Sequence, residues 1–139
     1  MKKSFSSHWK ASKQPRKQRK YLSNAPLHLM HRFLSTPLSK NLRKQYGKRN
    51  IPIKKGDEVL VMQGKFKKKR AKVSSVDRKN RRVTLENTQR TKKDGSKVNV
   101  YFRAHALQIQ ELNLEDKQRI RVLERKQTPE EKKHASHTS

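Results

Sequence analysis

Positive charge is the property that most limits what this chain can fold into. The sequence has 38 lysine and arginine residues against 11 aspartate and glutamate residues, a formal net charge of +27. Self-repulsion on this scale opposes a compact free state, and only 29% of the 139 residues are hydrophobic. We therefore expect one small folded unit with solvated or partner-bound extensions, and a polyanion, namely nucleic acid, as the partner.

The charge is concentrated at the N-terminal side. No acidic residue precedes Asp57, whereas the first 56 residues contain 16 lysines and arginines, interleaved with Phe5, Trp9, Tyr21, Phe33 and Tyr46. Bases stack on aromatic rings, and guanidinium groups pair with phosphates. We interpret this segment as an RNA-binding arm. Packing on the folded unit is an equally good interpretation for Phe33 and Tyr46, whereas Trp9, with few apolar neighbours, favours RNA contact.

The sequence lacks the residues that several kinds of site require. The chain has no cysteine, which excludes disulfides and cysteine-ligated zinc. His28 and His31, and again His134 and His137, have helical spacing, but no acid completes either pair, so we expect no metal and no cofactor. No phosphate-binding glycine loop, nucleophile elbow or acid dyad is visible, and we expect no enzyme. No apolar run approaches the roughly 20 residues needed to span a bilayer, so we expect no membrane insertion.

The stretch that organises the chain is 51–73, which reads IPIKKGDEVLVMQGKFKKKRAKV. Val59 to Met62 predict a short strand, and Gly64 predicts a turn or a close approach of the backbone to another chain. A basic loop with Phe66 at its centre follows, and the strand pattern resumes at Ala71. Such a strand, turn, cationic loop and second strand form a platform that can hold a phosphate backbone.

The rest of the segment to residue 110 also has strand patterns. Ser74 and Ser75 allow a bulge, the turn residues of 77–80 separate two strands, and Lys93-Asp94-Gly95-Ser96 predict a tight hairpin. Five short strands in about 55 residues predict a small closed or nearly closed barrel.

Helices are predicted on both sides of the barrel. Asn24-Ala25-Pro26 and Thr36-Pro37 each have the composition of a helix start, and Gly47 can end the second helix. Asn113 can cap a C-terminal helix with acids in its first turn and an apolar stripe of Leu112, Ile120 and Leu123. The last dozen residues are typical of a disordered tail.

Residues 54–73 resemble the KOW motif, in the order Lys-Gly-Asp-x-Val-x-Val-x-x-Gly-x-Phe-Lys leading to a Lys-Val strand. Lys68 and Ala71 stand where that motif usually has glycines. The run 24–59, NAPLHLMHRFLSTPLSKNLRKQYGKRNIPIKKGDEV, resembles the region before the motif in one family, the KOW protein of the large ribosomal subunit near the nascent-chain exit, in its eukaryotic and archaeal form. The resemblance covers about residues 20–126, except 103–106, where the family usually has His-Pro-Ser-Lys.

The resemblance implies a mainly β fold, a small SH3-like (KOW) barrel, which agrees with the strand pattern. We expect a basic rRNA-binding extension with short helices at 1–50, the barrel at 51–111, a helix at 112–127 and a disordered tail at 128–139. The implied partners are large-subunit rRNA, neighbouring large-subunit proteins, and nascent chains or exit-site factors, without homo-oligomers. The implied location is the cytosolic ribosome, with nucleolar passage during assembly in a eukaryote.

The predicted RNA-binding residues are mostly cations of the arm, the basic loop and the Thr91–Lys97 hairpin. A solvated turn is the alternative interpretation for the lysines of that hairpin. The predicted residues are Trp9, Arg16, Lys17, Arg19, Lys20, Arg32, Lys40, Arg43, Lys44, Lys48, Arg49, Lys54, Lys55, Gly64, Lys65, Phe66, Lys67, Lys68, Lys69, Arg70, Lys72, Lys92, Lys93 and Lys97.

The predicted function is a structural rRNA-binding constituent of the large ribosomal subunit that supports subunit assembly. The alternative is a KOW-type transcription or RNA-processing factor, but such factors usually combine the module with other domains, for which 139 residues leave no room. A cationic membrane-active protein would need a long amphipathic helix, and the proline and glycine punctuation opposes one.

Overall fold

The computed structural model describes residues 5–9 and 11–125. The predicted disordered tail at 128–139 and the last two residues of the predicted C-terminal helix lie outside the described residues. Within them, the helices are α1 Pro15–Asn24, α2 Leu27–Phe33, α3 Lys40–Tyr46 and α4 Lys117–Glu124, with a 3₁₀ turn at Ala104–Ala106. The strands are β1 Ser35–Pro37, β2 Asn50–Pro52, β3 Glu58–Val61, β4 Arg70–Asp77, β5 Arg82–Thr91, β6 Lys97–Phe102 and β7 Leu107–Glu111.

The larger sheet contains five antiparallel strands in the order β6-β5-β4-β3-β7. Strands β3 to β6 are joined in sequence, and the 3₁₀ turn carries the chain back so that β7 pairs with β3. Strands β1 and β2 form a separate antiparallel pair. The prediction of a mainly β, SH3-like fold of five strands is confirmed.

One hydrophobic core is shared by all five strands. Val59 and Val61 of β3 are fully buried, and Phe102 of β6 and Ile109 of β7 join the same cluster from the two edge strands. Edge strands of a flat sheet would not meet across a common core, so the sheet curves around it. Leu34 and Leu38, from the segment predicted as an extension, also belong to this core, as does Leu123 of α4.

Two of the predicted turn features are confirmed. The pairing register of β4 with β5 shifts between Val73 and Ser75, where the two serines predicted a bulge. The turn after β4 is closed by Asp77, whose carboxylate accepts a hydrogen bond from the backbone N–H of Asn80 at 3.0 Å and another from its side-chain amide at 2.6 Å.

The helix starts were predicted less well. Helix α2 confirms the first start, but the start at Thr36-Pro37 is wrong, because these residues form β1. Thr36 pairs with Ile51 and is fully buried, so strand pairing over the core overrides the capping pattern. Helix α3 begins later, with the Ser39 hydroxyl accepting from the Leu42 N–H at 3.4 Å, and ends at Gly47 (φ +64°) as predicted. Helix α1 was missed, because its polar and basic sequence has no apolar period.

The C-terminal helix also begins later than predicted. Its N-cap is Asp116, whose carboxylate accepts from the Gln118 N–H at 2.8 Å, rather than Asn113. Asn113 instead forms a local turn, because its side-chain oxygen accepts from the Glu115 N–H at 3.0 Å. The Asn113 amide nitrogen would lie only 2.7 Å from a Cβ on Gly56, a contact that this side chain can relieve by moving, so glycine is needed here chiefly for its φ of +85°.

A buried ion pair joins the C-terminal helix to the start of β3. The carboxylate of Asp57, fully buried, receives both terminal guanidinium nitrogens of Arg119 at 2.5 and 2.7 Å. The same carboxylate accepts from the backbone N–H groups of Lys54 at 2.9 Å and Asn113 at 3.0 Å. Arg119 also donates to the Asn113 carbonyl at 2.9 Å. The entry to β3 and the segment 113–119, which are more than 50 residues apart in sequence, therefore converge on one carboxylate.

Replacing Arg119 with methionine is expected to lower the free energy of unfolding by about 3–5 kcal/mol, because it leaves the buried Asp57 carboxylate without its cation. Urea unfolding followed by circular dichroism measures this. The matched control is Arg121→Met, an exposed cation on the same helix, for which a change within about 1 kcal/mol is expected. Equal losses in the two variants would contradict the structural role of the pair.

Candidate nucleic-acid interface

The strand register places the predicted RNA-binding loops at one end of the sheet. Leu60 pairs with Arg70, so the β3–β4 loop emerges beside the first residues of β4, whereas Asp77 at the other end of β4 pairs with Arg82. The β5–β6 hairpin extends beyond Gln89, at the same end as the β3–β4 loop. We call residues 62–70 and 91–97 the loop end, and residues 77–82 and 101–103 the turn end.

The β3–β4 loop is a tight turn built on two left-handed residues. Gly64 has φ +88° and Lys68 has φ +69°. The Lys68 N–H donates to the Val61 carbonyl at 2.8 Å and the Lys67 N–H to the Gly64 carbonyl at 3.0 Å. No atom lies within 4 Å of a Cβ built on Gly64, so the protein itself needs glycine here for its conformation and not for clearance. Lys68 adopts the left-handed conformation at a position where the KOW motif usually has glycine.

This turn exposes most of its cations. Lys65, Lys67 and Lys68 are exposed in the loop, and Arg70 and Lys72 are exposed on β4. Lys69 differs, because its ammonium donates to the Asn87 carbonyl of β5 and lies 5.9 Å from the centroid of the Phe66 ring. The loop is thus tied to β5 by one lysine while the others point to solvent.

Phe66 is the aromatic residue of this loop, and its ring is packed. It lies edge-on to the core residue Phe102, with centroids 6.0 Å apart and planes at 75°, and it is only partly exposed. Aromatic pairs in this geometry add to the stabilisation from buried area. Phe66 therefore anchors the loop on the sheet, which restricts any base contact to the exposed part of its ring.

The β5–β6 hairpin carries the second group of loop-end cations. Lys92, Lys93 and Lys97 are exposed, as is every residue from 91 to 99. Asp94 closes the tip by accepting from the Ser96 hydroxyl at 2.6 Å and the Ser96 N–H at 2.9 Å, and these bonds hold the pKa of Asp94 below its usual value. Gly95 supplies the left-handed residue, with φ +82°.

In the arm, α1 presents its cations to solvent and its aromatic residue to other rings. Arg16, Lys17, Arg19 and Lys20 are exposed on α1, and Arg32 is exposed on α2. The aromatic side chains form a separate stack. Tyr21 lies between Phe5 and Trp9, at centroid distances of 4.7 and 5.1 Å, and Phe33 meets it edge-on at 6.2 Å. The ring of Trp9, predicted to contact RNA, thus packs on Tyr21.

The cations from α3 to β3 divide into two groups. Lys40, Lys44, Arg49 and Lys55 are exposed. The remaining three predicted cations of this segment bind within the protein: Arg43 donates from Nε to the Leu38 carbonyl at 2.8 Å, Lys48 donates to the Val122 carbonyl, and Lys54 forms an ion pair with Asp116. These three position α3 and α4, which sequence patterns did not indicate.

Neither metal ligation nor membrane spanning is supported by the described residues. Within residues 5–9 and 11–125, no three histidine or acidic side chains cluster in a way that could hold a metal ion. In the same part of the chain, no helix is long and apolar enough to cross a bilayer. His31 of α2 has a lowered pKa, first because it is partly buried and then because Arg78, Lys54 and Arg119 place positive charge near it.

The cations of the turn end were not among the predicted RNA-binding residues. Residues 77–80 were interpreted only as a turn, and Arg81 and Arg82 were given no role in binding. Arg82 lies over the ring of Tyr101, with its guanidinium carbon 5.4 Å from the ring centroid. In the sequence, the indication of a binding site was a group of four cations around one asparagine. The position of Tyr101 beside them became visible only in the pairing of β5 with β6.

The sequence is similar to that of a known protein family and of several individual proteins. The profile of the family that comprises eukaryotic ribosomal protein L26 and its archaeal counterpart matches residues 12–126. The large ribosomal subunit protein uL24 of Korarchaeum cryptofilum is 45% identical over 115 residues, which are 83% of this chain and 88% of the relative. Those of Methanosphaera stadtmanae and Sulfolobus acidocaldarius are 42% and 43% identical over the same share of this chain, covering 98% and 86% of their own length.

Replacing Gly64 with valine is expected to lower the free energy of unfolding by at least about 1–2 kcal/mol, because a β-branched residue must then adopt φ near +88°. Thermal unfolding of the purified chain measures the loss. Lys65→Val is the matched control, since it adds the same side chain to an exposed neighbouring position whose φ is not positive. Equal stability of the two variants would show that the turn does not need its left-handed residue.

The lowered pKa of His31 predicts a pH effect of known sign. Histidine in the unfolded state has an ordinary pKa of 6.5, so near that pH the unfolded state binds a proton more readily than the folded state. The stability of the fold therefore decreases as the pH drops through 6.5, and it levels off below the pKa of His31 in the folded state. His31→Gln is expected to reduce that fall when unfolding is measured between pH 7.5 and about 5, whereas His28→Gln on the same helix is expected to retain it. A steeper fall in His31→Gln would contradict the sign.

Proposed function

This chain belongs to the ribosomal protein family that comprises L26 of eukaryotes and its archaeal counterpart, and on that premise we propose that it binds and stabilises folded rRNA through its loop end and its basic arm. As a family member it is a structural constituent of the large ribosomal subunit and not an enzyme. It is part of the ribosome, which fits the cytosol.

One observation carries the proposed mode of binding. The β3–β4 loop and the β5–β6 hairpin expose Lys65, Lys67 and Lys68, and Lys92, Lys93 and Lys97, at the same end of one sheet. Both loops are held by internal hydrogen bonds, so the backbone that carries these lysines does not have to be ordered on binding. A dense group of positive charges carried on an ordered backbone suits the closely spaced phosphates of folded RNA.

The mechanism follows from electrostatics and shape. Lysines that reach phosphates release condensed counterions, which supplies affinity without sequence preference. Register on the RNA then comes from the shape of the protein, because A-form helices expose little base information to side chains and are recognised by backbone geometry. The exposed cations of α1, α2 and α3 extend the same contact along the arm, which we propose to act with the sheet as one interface.

The location of the protein on the ribosome, its role in assembly and its further partners are proposed from the family resemblance. We propose that the protein lies near the nascent-chain exit, that it supports subunit assembly, and that neighbouring large-subunit proteins, nascent chains or exit-site factors contact its surface. In a eukaryotic source it would pass through the nucleolus during assembly. The transcription-factor alternative is not favoured, because the family match covers 115 of 139 residues and the relatives named above are all ribosomal.

Crosslinking in cells followed by a high-salt wash and sequencing of the attached RNA tests this function. Reads concentrated in one region of large-subunit rRNA are the expected result and identify the nucleotides that the two loops approach. Reads scattered over nascent transcripts would instead assign the chain to transcription and overturn the proposed interface.

Neutralising the hairpin with Lys92→Gln, Lys93→Gln and Lys97→Gln together is expected to reduce the slope of log affinity against log salt by about 2–3, because each phosphate contact contributes roughly 0.7–0.9. Filter binding of the full chain to purified large-subunit rRNA at several salt concentrations measures this. The control replaces three exposed cations of the C-terminal helix segment, Lys117, Arg121 and Arg125, with glutamine, which removes the same charge. Identical slopes for both triple variants would show that net charge, not the hairpin, sets the affinity.

A further inference from the structure

We propose that the turn end holds a specific site for one unpaired nucleotide of the bound RNA, stacked on Tyr101 and held by the surrounding arginines. This inference rests on the proposed function, since it names a further contact with the same RNA. It concerns the ends of β5 and β6 opposite the β5–β6 hairpin, adds cations of the β4–β5 turn that the loop-end contact does not use, and shares Arg19 with the arm.

The site is a cleft of about 680 Å³ between helices α1 and α2 and the ends of β5 and β6. Leu22 of α1 and Phe33 of α2 line one side, and Tyr101 and Phe102 of β6 line the other. Sites for small organic molecules are commonly about 300–1,000 Å³, with apolar walls and a few placed polar groups. The volume lies in this range, and the lining combines aromatic and aliphatic side chains with several polar ones, which suits a nucleotide with its base against the rings and its phosphates beside the arginines.

Tyr101 provides a surface for stacking. It faces away from the core, because its neighbour Phe102 points inward, and it is 59% exposed, the highest exposed fraction among the large hydrophobic side chains of the described residues. Arg82 covers part of the ring from 5.4 Å. An exposed aromatic ring beside a guanidinium plane is the arrangement on which single bases stack.

The charge of the cleft is of one sign. Arg19 from α1, Arg81 and Arg82 from the β4–β5 turn, and Arg103 from the end of β6 line it, and no acidic residue does. Four guanidinium groups from three separate parts of the chain thus line a cavity that also contains aromatic and aliphatic side chains. Guanidinium groups bind phosphate oxygens through paired N–H donors, so this set suits the phosphates flanking an extruded base.

The turn that supplies two of these arginines is held in a strained conformation. Arg81 has φ +53°, in the left-handed region that side chains rarely adopt, and the Asp77–Asn80 hydrogen bonds hold the turn in place. Residues in this conformation are found preferentially at ligand sites. The backbone that carries Arg81 and Arg82 is therefore held in place before any ligand arrives.

An acidic peptide could also meet four arginines, but it would leave the Tyr101 ring and the other aromatic and aliphatic side chains of the cleft unused. A nucleotide uses both features, since every base has a stacking face and every linkage has a phosphate. The chemistry of the cleft therefore favours RNA over an acidic protein segment. It also predicts little preference among the four bases, because stacking is tolerant of sequence.

The test uses the purified full chain and two RNA probes, a duplex with one unpaired nucleotide in the middle of one strand and the same duplex without it. We expect the chain to bind the bulged duplex about tenfold more tightly, a typical effect of stacking one base. Tyr101→Leu is expected to remove that difference and Tyr101→Phe to keep it. Because Tyr101 is exposed, both variants are expected to fold, which thermal unfolding checks.

The outcomes separate this site from the proposed function. Equal, salt-dependent affinity for the two duplexes in every variant would overturn the nucleotide site and leave the proposed function standing. No salt-dependent binding of either duplex would overturn both. If a glutamate-rich peptide binds the wild-type chain and Tyr101→Leu equally but binds Arg81→Gln more weakly, while the wild-type chain binds both duplexes alike, the cleft belongs to an acidic protein segment and the nucleotide site is overturned.

A second measurement examines the assembled large subunit. Short-wavelength ultraviolet light links aromatic side chains to bases stacked on them, and trypsin releases residues 98–103, which contain Tyr101, as one peptide. We expect this peptide to carry a nucleotide mass that is lost in Tyr101→Leu. Its appearance without any adduct, while loop-end or arm peptides from the same sample carry one, would overturn the site without affecting the proposed function.

Discussion

The ion pair between Asp57 and Arg119 is the interaction on which the rest of the structure depends. It joins the entry to β3, the loop before α4 and α4 itself, and both side chains are buried. Buried pairs gain little net stability, because desolvation offsets attraction, and here the Nε of Arg119 is buried without a hydrogen-bond partner. The pair therefore acts mainly by fixing geometry, since any other arrangement of these segments would leave a charge buried and alone.

A chain with a net charge of +27 has few acidic residues, and in this fold the aspartates accept hydrogen bonds from groups of the protein itself. Asp57, Asp77, Asp94 and Asp116 are all the aspartates of the sequence, and each accepts at least one backbone N–H, from Lys54, Asn80, Ser96 and Gln118 respectively. They close turns and cap α4 instead of neutralising surface cations, although Asp57 and Asp116 also pair with Arg119 and Lys54. The aspartates thus build the loops, and the exposed lysines and arginines remain available to bind an external polyanion.

Sequence patterns predicted the features that depend on local chemistry. Strand alternation, the Ser74-Ser75 bulge, the Asp-Gly hairpin and the end of α3 at Gly47 are all determined within a few residues. Features that depend on distant partners were missed. Thr36 forms a strand because Ile51 lies opposite, and Arg119 is buried because Asp57, 62 residues earlier, needs a cation. At the interface, exposed lysines were predictable from composition, whereas the packing of Phe66 on Phe102 and of Trp9 on Tyr21 required the folded chain.

Lys68 shows how charge and stability are balanced in the β3–β4 loop. Its φ of +69° suits glycine, and a lysine there costs about 1 kcal/mol of backbone strain. A glycine would relieve the strain but would cost conformational entropy on folding, roughly 0.5–1 kcal/mol, so the two residues differ little in the stability of the free protein. They would differ in the proposed complex with RNA, because only lysine can reach a phosphate and release a counterion. A left-handed lysine at the centre of a cationic loop is thus nearly neutral for the fold and favourable for binding, and this is the combination expected where a rigid turn must also carry charge.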